Sequence, residues 1–239
     1  MFHTLFYEPV YNLLVFFLSV VPQHDIGISI ILVTVLVKAI LFPLNISATR
    51  SQYALKKIDK EIKEIKERYK NKPQEAGAKT LELYKREKIN PFSSLFTIIL
   101  QIPVFIALYL VFSKGIHNDV ASLYSFVAFP DNLHTNAFGF LDVTKKNIAV
   151  GIITGMSAYL LARRQSSSFA TPSADKKEPS FQESFQSTLR IQLLYVFPVI
   201  ILVTSSVVPA AIGVYWITSN ILGIFQDWYI KREIMHVKA

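Results

Sequence analysis

The chain has 239 residues, of which 51% are apolar and 18% are charged, and its formal net charge is +8 at pH 7. The apolar residues fall in blocks with most charges between them, which argues against a soluble domain and indicates a multi-spanning membrane protein. Basic and acidic residues interleave in one segment, so the net charge does not predict recognition of a nucleic-acid sequence. The absence of Cys excludes a disulfide framework and a Cys-based metal site.

Residues 1–25 carry apolar side chains at helical spacing, interrupted by His3, Glu8 and Asn12. The uninterrupted apolar run Leu13–Val21 is too short to cross a bilayer, so we expect an amphipathic helix that lies in the membrane interface. The alternative is a first span with the N-terminus inside, which would require local thinning of the bilayer.

Residues 26–49 predict the first transmembrane helix, TM1, in which Lys38 is the one charged side chain. Residues 50–91 hold most of the charge and predict a helical hairpin outside the bilayer, broken at Asn71–Pro73. Its first half has a narrow coiled-coil seam at 3-4-3-4 spacing: Leu55, Ile58, Ile62, Ile65 and Tyr69. This hairpin is either a solvated charged surface or a docking surface for the ribosome, targeting factors or lipid headgroups.

The remaining chain predicts four further spans and their connections. In chain order these are TM2 (92–113), an extracytoplasmic loop (114–146), TM3 (147–163), a flexible Ser-rich loop (164–189), TM4 (190–206), TM5 (207–230) and a basic tail (231–239). The fold class is therefore all-α: five transmembrane helices, an N-terminal interfacial helix and a helical hairpin. We expect the prolines in these spans to bend helices and free carbonyl groups: Pro43, Pro103, Pro198 and Pro209.

The distribution of Lys and Arg predicts the orientation of the chain. Thirteen lie in residues 50–90, five in 163–190 and three after residue 230, whereas the opposite side has only Lys114, Lys145 and Lys146. Because cytoplasmic loops are enriched in basic residues, the hairpin, the Ser-rich loop and the C-terminus are expected in the cytoplasm and the N-terminus outside.

Lys38 is the main candidate for a functional residue. It lies about 12 residues into its helix, or roughly 18 Å at 1.5 Å per residue, where a charge costs about 2.5–3.5 kcal/mol on insertion scales. No Asp or Glu lies in the five apolar segments, the last of which ends at Gln226. Either the ammonium reaches the cytoplasmic interface along its apolar stem, or water reaches the ammonium.

Helical geometry favours water. Thr34, Lys38 and Asn45 lie within about 40° of one another on a straight 3.6-residue helix, which makes a polar stripe. The other spans add polar groups at Gln101, Tyr215, Ser219 and Asn220. Polar side chains at membrane depth face a partner or a wet cavity, so these seven residues predict a hydrophilic groove open to the cytoplasm. The alternative is that they only bond neighbouring helices.

Three spaced motifs resemble the YidC family of membrane protein insertases, whose relatives include the mitochondrial Oxa proteins. The first is Val37-Lys38 with Pro43-Leu44. The second is Asn90-Pro91-Phe92 with Gln101-Ile102-Pro103-Val104-Phe105 and Leu108-Tyr109. The third is Pro209-Ala210 with Val214-Tyr215-Trp216, Ser219-Asn220 and Phe225-Gln226. Together with the charged hairpin, the resemblance covers nearly the whole chain.

The resemblance implies a short bacterial form in the inner membrane that inserts nascent membrane proteins without using nucleotide, alone or beside the Sec translocon. Its implied partners are nascent chains and membrane lipids, with the ribosome and the Sec translocon as candidates. In the family a cation in the first core span faces a water-filled groove, and Lys38 stands where most bacterial relatives have Arg. Lys keeps the charge but lacks the rigid fork of donors of Arg.

The rival classes find less support. A solute or ion transporter would need an intramembrane carboxylate or paired charges and repeated halves, which the sequence does not display. All five His lie outside the predicted spans and no phosphate-binding loop motif is present, so no enzyme, cofactor or metal site is predicted.

Overall fold

The computed structural model describes residues 1–89, 93–130, 133–166 and 191–236. It is mostly helical, in agreement with the predicted all-α class. The helices are α1 (Glu8–Val20), α2 (Ile26–Ile40), α3 (Phe42–Lys57), α4 (Asp59–Arg68), α5 (Pro73–Arg86), α6 (Ser93–Lys114), α7 (Ile148–Ser166), α8 (Phe197–Val207) and α9 (Ala210–His236). Single π-helical turns, His3–Tyr7 and Gln192–Val196, lead into α1 and α8.

Among the described residues, no single helix has both the length and the hydropathy to cross a bilayer, whereas Ile26–Ile40 and Phe42–Leu55 have them as a pair bent by 59°. The number of spans therefore stays a prediction. The Ser-rich loop lies almost wholly in the undescribed residues 167–190, and so does the Asn90-Pro91-Phe92 motif in residues 90–92.

The predicted TM1 is not one straight helix, because it breaks between Ile40 and Phe42. Pro43 has no N–H to donate to the carbonyl of Ala39, and its ring crowds that carbonyl, so the regular ladder cannot continue. The amide of Leu41 still donates to Val37 O at 3.0 Å, and that of Asn45 to Leu41 O at 3.1 Å. The chain therefore bends and resumes as α3, which contacts α6 and α9.

The N-terminal helix α1 is firmly attached rather than isolated. Tyr11, Leu14, Val15 and Leu18 are fully buried in a core that they share with α2, α6 and α9. The buried Asn12 donates through Nδ2 to Ser122 O at 2.9 Å and accepts from the amide of Tyr124 at 2.6 Å. One amide side chain of α1 thus bonds two backbone groups of the loop after α6 and fixes that loop against the helix.

The loop after α6 is tied to the helices at several points. Its strands β1 (Asn136–Ala137) and β2 (Leu141–Asp142) form an antiparallel pair in which Ala137 faces Leu141. The amide of Phe138 donates to the Asp25 carboxylate at 2.6 Å, next to the start of α2. Elsewhere in the loop, the Ser122 hydroxyl donates to Asp119 and lowers the pKa of that carboxyl below its usual value.

Helices α4 and α5 are consecutive, are joined by residues 69–72 and pack against each other. Their small core contains the buried residues Ile58, Ile62, Leu83 and Ile89. Two residues of the predicted seam, Ile58 and Ile62, lie at its centre, and Leu55 and Ile65 pack around it. The charged side chains lie outside and form ion pairs such as Lys63–Asp59 at 2.9 Å.

Helices α7, α8 and α9 approach closely through small residues. A Cβ added to Gly155 would lie 2.6 Å from Cβ of Leu202, and one added to Gly213 would overlap Val150. Thr154 and Ser205 are fully buried, and their hydroxyl oxygens are 3.2 Å apart. This combination of small residues and buried hydroxyls is typical of helix pairs that associate in lipid.

We predict that Gly213→Val lowers stability by about 1–3 kcal/mol, since the new side chain overlaps Val150 and comes within 3.0 Å of Ser205 Oγ. Thermal unfolding of the purified chain in dodecyl maltoside measures the change. The control is Gly77→Ala in α5, where an added Cβ meets nothing within 4 Å and an unchanged or higher midpoint is expected. Equal midpoints for Gly213→Val and the unmodified chain would contradict the close packing.

Candidate hydrophilic groove

Lys38 lies in the last turn of α2, two residues before the helix ends. Its side chain is partly exposed and makes no ion pair with any described residue. The free carbonyls at a helix C-terminus carry partial negative charge, which favours a cation there by about 0.3–1 kcal/mol in exposed sites and more when partly buried. Because α2 ends just before Pro43, Lys38 lies beside a helix C-terminus whose partial negative charge partly offsets the charge of the ammonium. A straight helix through Pro43 would not place a C-terminus there.

Thr34 and Lys38 lie four residues apart on α2, whereas the bend between α2 and α3 separates Asn45 from that stripe. Thr34 is fully buried and its hydroxyl donates to Ile30 O of the same helix at 2.6 Å. Its hydrogen-bonding capacity is therefore largely used within α2. Asn45 is partly exposed on α3 and donates through Nδ2 to Gln226 Oε1 of α9 at 3.3 Å.

Gln101 and Tyr215 each contribute a buried polar atom with no hydrogen-bond partner among the described residues. Gln101 lies on α6, one turn before Phe105, and Tyr215 precedes Trp216 on α9. The rings of Phe105 and Trp216 stack with centroids 5.0 Å apart and planes 4° from parallel, which holds these two helices together. Leaving a buried polar atom without a hydrogen bond destabilises the fold by about 1–3 kcal/mol. A hydrogen bond from a bound molecule to either atom would therefore be favourable.

Ser219 and Asn220 are both buried on α9, at 5% and 9% exposed. Asn220 donates through Nδ2 to Ser157 Oγ of α7 at 2.9 Å. Asn220 thus bonds α9 to α7, as the alternative interpretation of the polar residues supposed. Of the seven predicted groove residues, Thr34, Asn45 and Asn220 have hydrogen-bond partners within the protein. Lys38, Gln101 and Tyr215 hold polar groups without a partner among the described residues, and Ser219 is buried on α9.

Two residues that the sequence analysis did not single out form a buried charge pair on α9. Asp227 is 5% exposed, and its Oδ2 lies 2.6 Å from Nζ of Lys231, although the two are not aligned as a hydrogen bond. Lys231 also donates to the backbone carbonyl of Arg164 on α7 at 3.3 Å and lies over the ring of Tyr53 on α3, 5.6 Å from its centroid. This pair joins α3, α7 and α9 at the end of the predicted TM5.

The last predicted apolar segment ends at Gln226, and the first residue of the charge pair, Asp227, follows directly. Asp227 and Lys231 are four residues apart, a spacing that places them on one helix face, and Trp228, Tyr229 and Ile230 lie between them. That spacing was the available signal. Asp227 does not pair with Lys38, so it leaves the charge of Lys38 without an acidic partner among the described residues.

Two cavities lie elsewhere. One of about 500 Å³ lies between α4 and α5, and one of about 360 Å³ lies between α3 and the end of α5. None of the seven predicted groove residues lines either of them.

Comparison with known proteins identifies the family. The model of the 60Kd inner membrane protein family matches residues 16–238, nearly the whole chain. The chain belongs to the YidC family. This finding confirms the resemblance carried by the three motifs and assigns the chain to a family of bacterial inner-membrane proteins.

Similar proteins include short and long members, each named membrane protein insertase YidC. The protein of Fusobacterium nucleatum is 29% identical over 94% of this chain and 98% of its own length. That of Clostridium tetani is 30% identical over 88% of this chain and 84% of its own. That of Herminiimonas arsenicoxydans is 31% identical over 89% of this chain, which spans about a third (35%) of that longer protein.

We predict that Tyr215→Phe leaves the stability of this family member unchanged or raises it by up to about 1–3 kcal/mol, since the lost hydroxyl has no partner among the described residues. Thermal unfolding measures the change. The matched control is Tyr11→Phe, whose buried hydroxyl donates to Ile116 O at 2.9 Å and whose loss should cost about 0.5–1.5 kcal/mol. A Tyr215→Phe variant as destabilised as Tyr11→Phe would show that the Tyr215 hydroxyl is bonded.

A double-mutant cycle tests the charge pair on α9. Asp227→Ala leaves the ammonium of Lys231 without its acid and should destabilise the chain, whereas Asp227→Ala with Lys231→Met should recover part of the loss. We expect a coupling free energy on the order of 1–3 kcal/mol from the four unfolding midpoints. Additive single effects would indicate that the two charges do not stabilise each other.

Proposed function

We propose that this chain is a membrane protein insertase, in which a hydrophilic groove around Lys38 receives the polar part of a nascent membrane protein. The carrying observation is that Lys38 has no acidic partner among the described residues, at the end of a bent helix in a family of inner-membrane proteins. An unpaired ammonium at membrane depth is costly, and such residues generally serve a function.

Contacts between helices support the groove. The Asn45–Gln226 hydrogen bond sets α3 against α9, and α2 contacts α9 as well. Lys38 and Ser219 belong to these two contacting helices, α2 and α9, seven residues before Asn45 and Gln226 respectively. The unpaired polar atoms of Gln101 and Tyr215 belong to helices that are joined by the Phe105–Trp216 stack.

The mechanism follows from solvation. The groove lowers the barrier by solvating a hydrophilic segment partway across the bilayer, where it would otherwise lose its hydrogen bonds to water. Lys38 favours transient docking of acidic or carbonyl groups of that segment, because its three donors are not used by an internal partner. The apolar segment of the substrate then enters lipid, and its polar segment crosses.

We further propose the topology that the sequence predicts: five spans, the N-terminus outside, and the hairpin and C-terminus in the cytoplasm. In that arrangement α4 and α5 meet the arriving nascent chain, the ribosome or the Sec translocon. The protein acts by solvation and docking, without a chemical step of its own.

Solute transport is the alternative, and the charge pattern argues against it. Coupled transport usually relies on carboxylates or charge pairs near the middle of the membrane. The buried acid identified on α9, Asp227, is instead paired with Lys231 near the end of the predicted TM5. Solute uptake by vesicles with the reconstituted chain, abolished by Lys38→Ala, would favour transport over insertion.

We predict a graded effect of substitutions at Lys38 on insertion of a single-span substrate with an acidic translocated segment. Lys38→Arg should retain insertion, Lys38→Ala should reduce it, and Lys38→Glu should reduce it by roughly tenfold or more, because a charge-assisted contact contributes about 1.5–3 kcal/mol. Protease protection of the translocated segment in reconstituted vesicles measures the yield.

The matched control is Lys114→Ala. Lys114 also lies in the last turn of its helix, α6, but outside the proposed groove, with its ammonium 5.4 Å from the ring centroid of Tyr7. We expect near-normal insertion for this variant. Insertion by Lys38→Glu at the level of the unmodified chain would refute the role of the charge.

A further inference from the structure

A second cationic feature lies where α3 meets the end of α5. The cavity there has a volume of about 360 Å³, within the range of small-ligand sites. Its polar lining consists of Ser47, Arg50, Ser51 and Lys88, and its apolar lining includes Pro43 and Ile46. Among the described residues no carboxylate lines the cavity, so the charge of this lining is positive and its two hydroxyls add donors.

The backbone holds Lys88 in an unusual conformation. The amide of Lys88 donates to Lys85 O at 3.2 Å and that of Ile89 to Tyr84 O at 2.9 Å, which is the paired pattern that closes a helix C-terminus. Lys88 has φ +53°, at the position that normally favours Gly. Ile89 is 7% exposed in the core of the hairpin, so this end is fixed. A lysine in this left-handed conformation is uncommon, since a side chain other than that of Gly, Asn or Asp is disfavoured there.

Neither cation of the cavity is neutralised within the hairpin. Lys88 forms no ion pair with a described residue. Arg50 has one acidic neighbour, Glu233, at 3.8 Å, and both side chains are largely exposed, at 61% and 45%. A long ion pair in water contributes little, so Arg50 can exchange it for a better anion.

The position of the cavity suggests the ligand. Pro43 marks the bend of the predicted TM1, and α3 continues from that bend toward the hairpin. In the proposed topology, this cavity, which Pro43 and Arg50 both line, lies toward the cytoplasmic end of the predicted TM1. Paired cations and hydroxyls suit a phosphate group, and the apolar wall suits the glycerol and first carbons of a lipid better than a free anion.

We propose that this cavity binds the phosphate headgroup of an anionic phospholipid, held by Arg50 and Lys88. The site anchors the base of the α4–α5 hairpin to the cytoplasmic leaflet and so limits the directions in which the hairpin can project. The proposal rests on the topology proposed above, which places the hairpin in the cytoplasm, and its test by lipid binding does not depend on insertase activity.

The test titrates the full chain, purified in dodecyl maltoside, with short-chain phosphatidylglycerol, short-chain phosphatidylcholine and sodium phosphate, with binding measured by microscale thermophoresis. We expect phosphatidylglycerol to bind most tightly. Arg50→Gln with Lys88→Gln should weaken it on the order of ten- to thirtyfold, since two basic contacts are lost. Arg50→Lys with Lys88→Arg keeps both charges and should bind within a few-fold of the unmodified chain.

The matched control is Lys60→Gln with Lys70→Gln, which removes the same charge from exposed positions of the hairpin outside the cavity. If this control loses as much affinity for phosphatidylglycerol as the double variant in the cavity, the lipid is attracted by the overall charge of the hairpin and not by a site. That result would overturn the proposal. If sodium phosphate binds as tightly as phosphatidylglycerol, the cavity is a site for free phosphate. If phosphatidylcholine binds as tightly as phosphatidylglycerol, the net charge of the headgroup plays no role. Either result contradicts the proposal.

Lys88→Gly separates binding from folding. Gly adopts a positive φ without steric cost, so the melting temperature should stay equal or rise while affinity for phosphatidylglycerol falls about fivefold. Unchanged affinity in this variant would show that Lys88 is not a ligand and would overturn the proposal even if the double variant misfolds.

Discussion

The missing N–H of Pro43 is the constraint on which much of the proposed site depends. Because the ladder of α2 cannot pass Pro43, the helix ends at Ile40 and the chain bends by 59° before α3. The break leaves Lys38 beside the partial negative charge of a helix C-terminus. It also directs α3 toward α6 and α9, so that Asn45 meets Gln226 and the cavity lined by Arg50 opens beside Pro43.

Sequence patterns were sufficient for the helical class, the family and the position of Lys38, since these depend on composition, periodicity and spaced motifs. They were less informative about where polar side chains point. Thr34 bonds its own helix and Asn220 bonds Ser157, and both choices depend on which helices become neighbours. The predicted stripe of Thr34, Lys38 and Asn45 requires a straight helix. The bend at Pro43 instead separates Asn45 on α3 from Thr34 and Lys38 on α2. The sequence analysis does not single out Asp227 because the last apolar segment ends one residue before it, at Gln226.

Helices α7, α8 and α9 form a tightly packed unit for a different reason. In lipid there is no hydrophobic driving force between apolar helices, so close backbone approach and buried hydroxyl bonds have to hold them together. Gly155, Gly213, Thr154 and Ser205 supply both. The last helix of this unit, α9, also contacts α2 and α6, so the packing of α7, α8 and α9 helps to fix the helix that carries Tyr215 and Ser219.

Four lysines, Lys38, Lys88, Lys114 and Lys231, differ in which groups stabilise their charge, and this difference indicates which of them can bind a ligand. Lys231 uses a carboxylate and Lys114 lies over the ring of Tyr7, so both are engaged within the protein. Lys38 and Lys88 instead lie at the C-terminal ends of α2 and α5, where the helix favours the cation through its field and without a bonded carboxylate. Their ammonium donors consequently stay free for an anion from outside the chain. A helix C-terminus can therefore stabilise a cation at the membrane while its N–H donors stay available to different anions. In a buried ion pair the same donors would be bonded to a single carboxylate.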